Sequence, residues 1–127
     1  MRILIVDDDA GRHQDFVSNN ADCTIVSAYT SNEGITLFDS GEYDYISLDH
    51  DLGNDEDIIP MVKHMGQAFM DGKKKPTAVF MHSMNPVGAA NAISHIRRLV
   101  PCYPAQRAWL SEDFFRSIVL PATEQQT

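Results

Sequence analysis

The sequence predicts an α/β domain of three layers, with an open, mostly parallel five-stranded sheet covered by helices on both faces. Three observations lead there. Short apolar runs of strand length alternate with segments of helical period about five times along the chain. Several of those runs stop abruptly at polar residues, as buried parallel strands do when they deliver side chains beyond the sheet. At 127 residues and 43% hydrophobic content the chain has room for one domain, residues 1–127, with a core that needs no disulfide.

Residues 2–6, Arg-Ile-Leu-Ile-Val, form the first strand and run directly into Asp7, Asp8 and Asp9. A helix follows over residues 10–19, its apolar face carried by Phe16 and Val17. Residues 23–28 make a second strand. Thr30 and Glu33 have the spacing of a capping box, and Ile35 and Phe38 then share one face of a short helix that Gly41 ends. Residues 43–48 rise into the third strand, which stops at Asp49-His50-Asp51; residues 53–57 are an acidic loop containing glycine. Ile58, Val62, Met65 and Phe69 follow the helical period, giving a helix over residues 57–70.

Residues 77–81 form the fourth strand and deliver His82 and Ser83. Asn85 caps, and Pro86 opens, a helix reaching about residue 99. Residues 100–103 give a last strand that Pro101 and Pro104 confine to an edge. A closing helix, residues 105–120 with Leu110, Phe114 and Ile118 four apart, precedes a polar tail from about residue 121.

Ten Lys and Arg against eighteen Asp and Glu leave a net charge of -8, which opposes attraction to nucleic acid or an anionic membrane. The basic residues at 73–75 and 97–98 are too sparse for a DNA-binding face. No apolar run is long enough to span a bilayer, and the start has no signal-peptide character. These features, with Cys23 and Cys102 read as small buried hydrophobes in a reducing compartment, predict a cytoplasmic protein. A disulfide between the two is the minor alternative.

Ligands in open parallel sheets bind beyond the carboxyl ends of the strands, where this chain concentrates its polar groups. Asp7, Asp8, Asp49 and Asp51 cannot share a small volume as free anions. Either a cation sits among them or some retain protons at raised pKa. Oxygen donors without sulfur suit Mg²⁺, Mn²⁺ or Ca²⁺, and nearby histidines shift the balance towards Mn²⁺, Fe²⁺ or Zn²⁺. The competing reading is a merely acidic set of surface loops.

If the strand continued through residues 49–51, Asp49 and Asp51 would point to one face and His50 to the other. His82 is the leading acid or base, with His50 beside it, because imidazole titrates nearest neutrality. Ser83 can bind a phosphoryl oxygen, and Asn85 can face an oxyanion or cap the next helix. For both histidines the structural alternative is a hydrogen-bonded residue at a strand end. His13 lies close enough to the first acidic cluster to approach the pocket, whereas His64 and His95 have no partner that sequence identifies. Trp109 and the pair Phe114 and Phe115 read as core or interface.

Ile3-Leu4-Ile5-Val6-Asp7-Asp8-Asp9 and Tyr45-Ile46-Ser47-Leu48-Asp49 resemble the first and third strands of response-regulator receiver domains, whose fold is flavodoxin-like. The resemblance implies that Asp7 and Asp8 are the acidic pair, with Asp8 the more direct metal ligand. It makes Asp49 the phosphoacceptor, Asp51 the residue whose backbone carbonyl completes the metal shell, and Ser83 the hydroxyl residue after the fourth strand. Receivers also place a lysine after the fifth strand, but this chain has no lysine beyond Lys75. Arg97, Arg98 or Arg107 would have to substitute. The segments at residues 48–53 and 82–85 resemble cyclic-phosphate-processing receiver domains, often stand-alone and found in phages and bacteria.

Three functions follow as expectations. The first is a metal-dependent phosphoesterase acting on a cyclic nucleotide or other cyclic phosphate, with Asp49, His82 and His50 catalytic, Ser83, Asn85 and Asp51 binding ligand, and Asp7, Asp8, Asp49 and Asp51 holding metal. The second is a stand-alone receiver phosphorylated on Asp49; the third is a non-catalytic binder of a phosphorylated small molecule. A protein partner or a second copy could meet a helical face using Ile93, Leu99 or Trp109.

Overall fold

The structure is a computed structural model that describes residues 1–73, 75–82 and 85–104. Strands β1 (Arg2–Val6), β2 (Thr24–Ala28), β3 (Tyr45–Leu48), β4 (Ala78–Met81) and β5 (Cys102–Pro104) alternate with helices α1 (Ala10–Asn19), α2 (Ser31–Ser40), α3 (Ile59–Met70) and α4 (Pro86–Ser94). The sheet order is β2-β1-β3-β4-β5 and every pairing is parallel. The predicted α/β architecture is therefore the observed one, with β5 on an edge as its prolines require. The expected closing helix lies outside the described residues, as do Lys74, Ser83, Arg107, Trp109, Phe114 and Phe115.

Strand parity divides the core in two. Leu4 and Val6, Ile46 and Leu48, and Val79 and Met81 pack with Met61, Val62, Met65 and Phe69 beneath α2, α3 and α4. Ile3 and Ile5, Tyr45, Ala78 and Phe80 face the other way, against Phe16 of α1. Each fully buried large apolar side chain stabilises the fold by roughly 2 kcal/mol before ordering entropy is counted.

Several local signals act as their chemistry suggests. Thr30 accepts from the Glu33 amide at 3.1 Å, and Asn85 accepts from the Gly88 amide at 2.9 Å, so both helices start at their predicted caps. Strands β2 and β4 begin one residue, and β3 two residues, later than predicted, β5 spans Cys102–Pro104 instead of residues 100–103, and two helix boundaries move as well. Helix α3 begins two residues later than its apolar period suggests, because the Ile58 amide donates back to the His50 carbonyl and Asp51 bridges to Asp57. Helix α4 ends at Ser94, after which three- and four-residue turns mix as far as Val100. Cys23 and Cys102 are not joined in a disulfide, both are half-buried, and burial pushes the Cys102 thiol up to about 12. No helix among the described residues is long and apolar enough to cross a membrane. Ile93 and Leu99 pack partly against the larger core.

Candidate metal and phosphoryl site

The register of the sheet builds the site. Val6 pairs with Leu48 and Leu48 with Met81, so the next residues, Asp7, Asp49 and His82, emerge side by side at one level. The ladder continues one step through them: the Asp49 amide donates to the Val6 carbonyl at 2.9 Å, and the His82 amide to the Leu48 carbonyl at 3.0 Å. By parity all three side chains lie on the α1 face, as does Ser47.

Asp7 is fully buried and saturated with donors. It receives the Asp9 amide at 2.8 Å, His82 Nε2 at 2.8 Å, and a two-pronged contact from Arg12 through Nε at 2.6 Å and Nη2 at 2.7 Å. Burial alone would raise the Asp7 pKa. The hydrogen bonds from His82 and Arg12 more than offset it and hold the carboxyl well below the usual carboxylate range. The Arg12 guanidinium is correspondingly held more firmly protonated by its bond to Asp7. Arg12 sits in the first turn of α1, where side chains point back towards the helix start and over Asp7 to Asp9. Behind it, buried His13 donates Nε2–H to the Asp7 carbonyl at 2.7 Å and rests on Tyr29, ring centres 4.3 Å apart.

Asp49 differs. Its carboxylate is buried, but the one side-chain donor it meets among the described residues is Arg12 Nη2, at 3.3 Å. Burial, reinforced by the charge of Asp7, raises its pKa to about 6. Asp8 is exposed and completes a group of three: Asp7, Asp8 and Asp49 each offer an oxygen within 4.8 Å of the others. An all-oxygen set of that span fits Mg²⁺ or Mn²⁺, which prefer hard ligands and keep several waters. The Asp51 carboxylate lies outside that group, exposed and facing His50 Nδ1 at 2.9 Å, while its charge still acts on Asp49.

His82 and His50 diverge. His82 is buried with both ring nitrogens engaged, Nε2 by Asp7 and Nδ1 by Ser47 Oγ at 2.7 Å. With Asp7 ionised, Nε2 carries the proton and the neutral ring accepts the Ser47 hydroxyl at Nδ1. Burial lowers the His82 pKa, consistent with that neutral form, although Asp7 pulls the other way. Hydroxyl, imidazole and carboxylate stand in the order of a hydrolytic triad, but Ser47 is wholly inaccessible and no substrate can reach it. His50, of opposite parity, turns to α4, where a Cβ on Gly88 would lie 2.7 Å from its ring. Gly53, Asn54 and Asp55 all take positive φ, curling the loop after β3 so that Gly53 closes on Asp8. Asn85 lies at the start of α4 with its side-chain oxygen used as the cap.

The sequence matches the family described as Cyclic-phosphate processing Receiver domain over residues 2–98. This chain belongs to that family. No curated protein matches it in sequence. Among solved structures, NtrX from Brucella abortus superposes with a TM-score of 0.69 at 16% identity over 98% of this chain, which spans 28% of that NtrX chain. The receiver domain of Francisella response regulator 1452 gives 0.65 at 17% identity, covering 96% of this chain and 98% of its own. A response regulator from Burkholderia pseudomallei with a phosphorylated aspartic acid, calcium ion and citrate gives 0.63 at 16%, covering 97% and 74%. These likenesses establish the shared receiver fold.

In this receiver domain the sheet brings Asp7, Asp8, Asp49 and His82 together, while the side chains of Asp51 and His50 face each other beside them. Arg97 and Arg98 are exposed on the turn after α4. Among the described residues the cation at the cluster is Arg12, a residue that the pattern of apolar positions in α1 did not flag, and Arg107 lies outside them. A charge signal was available: a cation in a helix's first turn opposes the macrodipole unless anions hold it, and three aspartates immediately precede this helix. Ser47 gave no signal, being one polar residue within a buried strand.

Proposed function

We propose that this domain is a receiver-type phosphoryl site in which Asp49 accepts a phosphoryl group beside a divalent cation held by Asp7, Asp8 and Asp49. The observation that supports it is the contrast in donors: Asp7 is saturated, whereas Asp49, at the end of β3, meets only a long contact from Arg12 among the described residues. A carboxylate oxygen left so free is available as a nucleophile. It forms the new bond to phosphorus while the bond from phosphorus to the leaving oxygen breaks. The products are an acyl phosphate on Asp49 and the departing anion. A bound divalent ion would neutralise phosphoryl oxygens as charge shifts during transfer.

Family membership favours a second reading built on the same nucleophile. Attack of Asp49 on a cyclic phosphodiester would open the ring, the ring oxygen leaving as an alcohol once it gains a proton. Water would then cleave the acyl linkage to release a linear monoester and regenerate Asp49. The engaged nitrogens of His82 and the seating of His50 on α4 weigh against either as the proton carrier for that turnover. Transfer to Asp49, or capture of a phosphorylated ligand without turnover, needs no such carrier.

The test is intact mass after incubation with Mg²⁺ and acetyl phosphate or phosphoramidate, beside a panel of cyclic mono- and dinucleotides followed by chromatography. A phosphoryl adduct on wild type but not on Asp49→Asn is the expected result. Release of linear monoesters would transfer the assignment to the second reading, and depletion of a nucleotide without product would make the domain a binder. Absence of adduct, product and ligand binding in protein that binds Mg²⁺ overturns the proposal.

A further inference from the structure

One nitrogen of Arg12 stands among all three candidate metal ligands. Nη2 lies 2.7 Å from Asp7 Oδ1, 3.3 Å from Asp49 Oδ2 and 3.5 Å from Asp8 Oδ1. A divalent ion bound at roughly 2.1 Å from oxygens of the same three carboxylates needs that volume. The two cations exclude each other. We propose that Arg12 is the resident counter-ion of the site, that an entering divalent ion displaces it, and that the released guanidinium then recognises the phosphoryl group; this rests on the metal-dependent reading above.

The surroundings suit an exchange. Arg12 is two-fifths exposed, and among the described residues the partners of its guanidinium are carboxylates, Asp9 included at 3.5 Å. Asp7 is not orphaned when Arg12 leaves, because the Asp9 amide remains on Oδ1 and His82 Nε2 on Oδ2. Three anions and one guanidinium leave the cluster with negative charge to spare, which favours a doubly charged ion. The freed guanidinium carries a planar donor fork that matches phosphate oxygens in a way an ammonium does not. It also fills a chemical gap, since no lysine follows Lys75 in the chain. Metal entry and phosphoryl recognition thereby become coupled through one side chain.

Titration of the full chain with Mn²⁺ tests the exchange. Arg12→Gln removes the competitor, so Mn²⁺ should bind about tenfold more tightly than to wild type, with Arg12→Lys between them. In wild type, Mg²⁺ should shift the Arg12 Nε–H resonance in ¹⁵N spectra and speed its exchange with solvent, a reading that does not depend on any variant folding. With Mg²⁺ saturating, beryllium fluoride should bind about tenfold more weakly to Arg12→Gln than to wild type. Equal or weaker Mn²⁺ binding by Arg12→Gln, or Mg²⁺ binding that leaves the Arg12 resonance unmoved, overturns the exchange while the metal site stands. Unchanged beryllium fluoride binding overturns the recognition role. If neither wild type nor variant binds a divalent ion, the metal-dependent reading itself falls.

Discussion

Asp7 and Asp49 leave neighbouring strands at the same level and on the same face of the sheet, and both are buried. Yet the protein treats their charges in opposite ways. The end of β1 surrounds Asp7 with four donors and lowers its pKa; the end of β3 leaves Asp49, among the described residues, with one long side-chain contact, and its pKa rises to about 6. Burial is common to both, so the hydrogen bonds on Asp7 and the neighbouring carboxylate charges beside Asp49 make the difference. The β1 end is a finished piece of structure, while the β3 end, among the described residues, holds a weakly partnered charge that a metal, a proton or a phosphoryl group would relieve. Strain of this kind, offset elsewhere in the fold, is characteristic of sites that do chemistry.

The largest test of that contrast is Asp7→Asn. It removes the anion that Arg12 and His82 both face and sets an amide donor among donors. Breaking one side of a buried ion pair is destabilising by about 3–5 kcal/mol, and the partial exposure of Arg12 argues for the lower end. Urea denaturation at neutral pH should show that loss. A change below about 1 kcal/mol, the scale of a surface ion pair, would mean that the β1 end is not the braced one.

Asp49→Asn should act with the opposite sign. Because the folded-state pKa of Asp49 is raised from its ordinary 3.8 to about 6, its favourable contribution is present below the lower value and lost as pH rises through the upper. Removing the charge should therefore stabilise the metal-free protein by about 2 kcal/mol at about pH 8, the gain vanishing below about pH 4. Asp7, with its pKa depressed, contributes stability above its ordinary value and loses it as pH falls further. Mg²⁺ should raise the melting temperature of wild type and leave that of Asp49→Asn nearly unchanged. An Asp49→Asn protein less stable than wild type at about pH 8 would erase the distinction between the two strand ends.

Much of this was legible in the sequence, for reasons that differ by residue. The apolar run before Asp7 and the run before Asp49 declare buried strands, and a parallel sheet places their ends together. Thr30 with Glu33 and Asn85 with Pro86 act over a few residues, so local chemistry alone sets those helix starts. What stayed hidden depends on direction rather than spacing. The parity that sends His82 towards Asp7 and His50 towards α4 is settled only once the ladder is known to continue past the strand ends. Arg12 was hidden because an apolar period shows which face of a helix packs and says nothing of a cation leaning back over the preceding turn. The start of α3 misled for a related reason, since Ile58 fits the helical period but gives its amide to His50.

His50 offers the finest test, because its seat decides whether the β3 end has a proton carrier within reach. Its ring lies over the first turn of α4, where a Cβ on Gly88 would stand 2.7 Å from His50 Cγ and Nδ1 and 2.8 Å from Asn85 Nδ2. Gly88→Ala should therefore destabilise wild type by about 1 kcal/mol, even though alanine is the better helix former by a similar amount. In a His50→Ala background the ring clash is gone, the Asn85 contact is common to both backgrounds, and the helix preference should recover part of the loss. A double-mutant cycle read by thermal melts should give a coupling of about 1 kcal/mol. Additive effects would mean that His50 does not rest on α4. The ring would then be free to turn towards Asp49, where it could serve the turnover reading of this site as proton carrier.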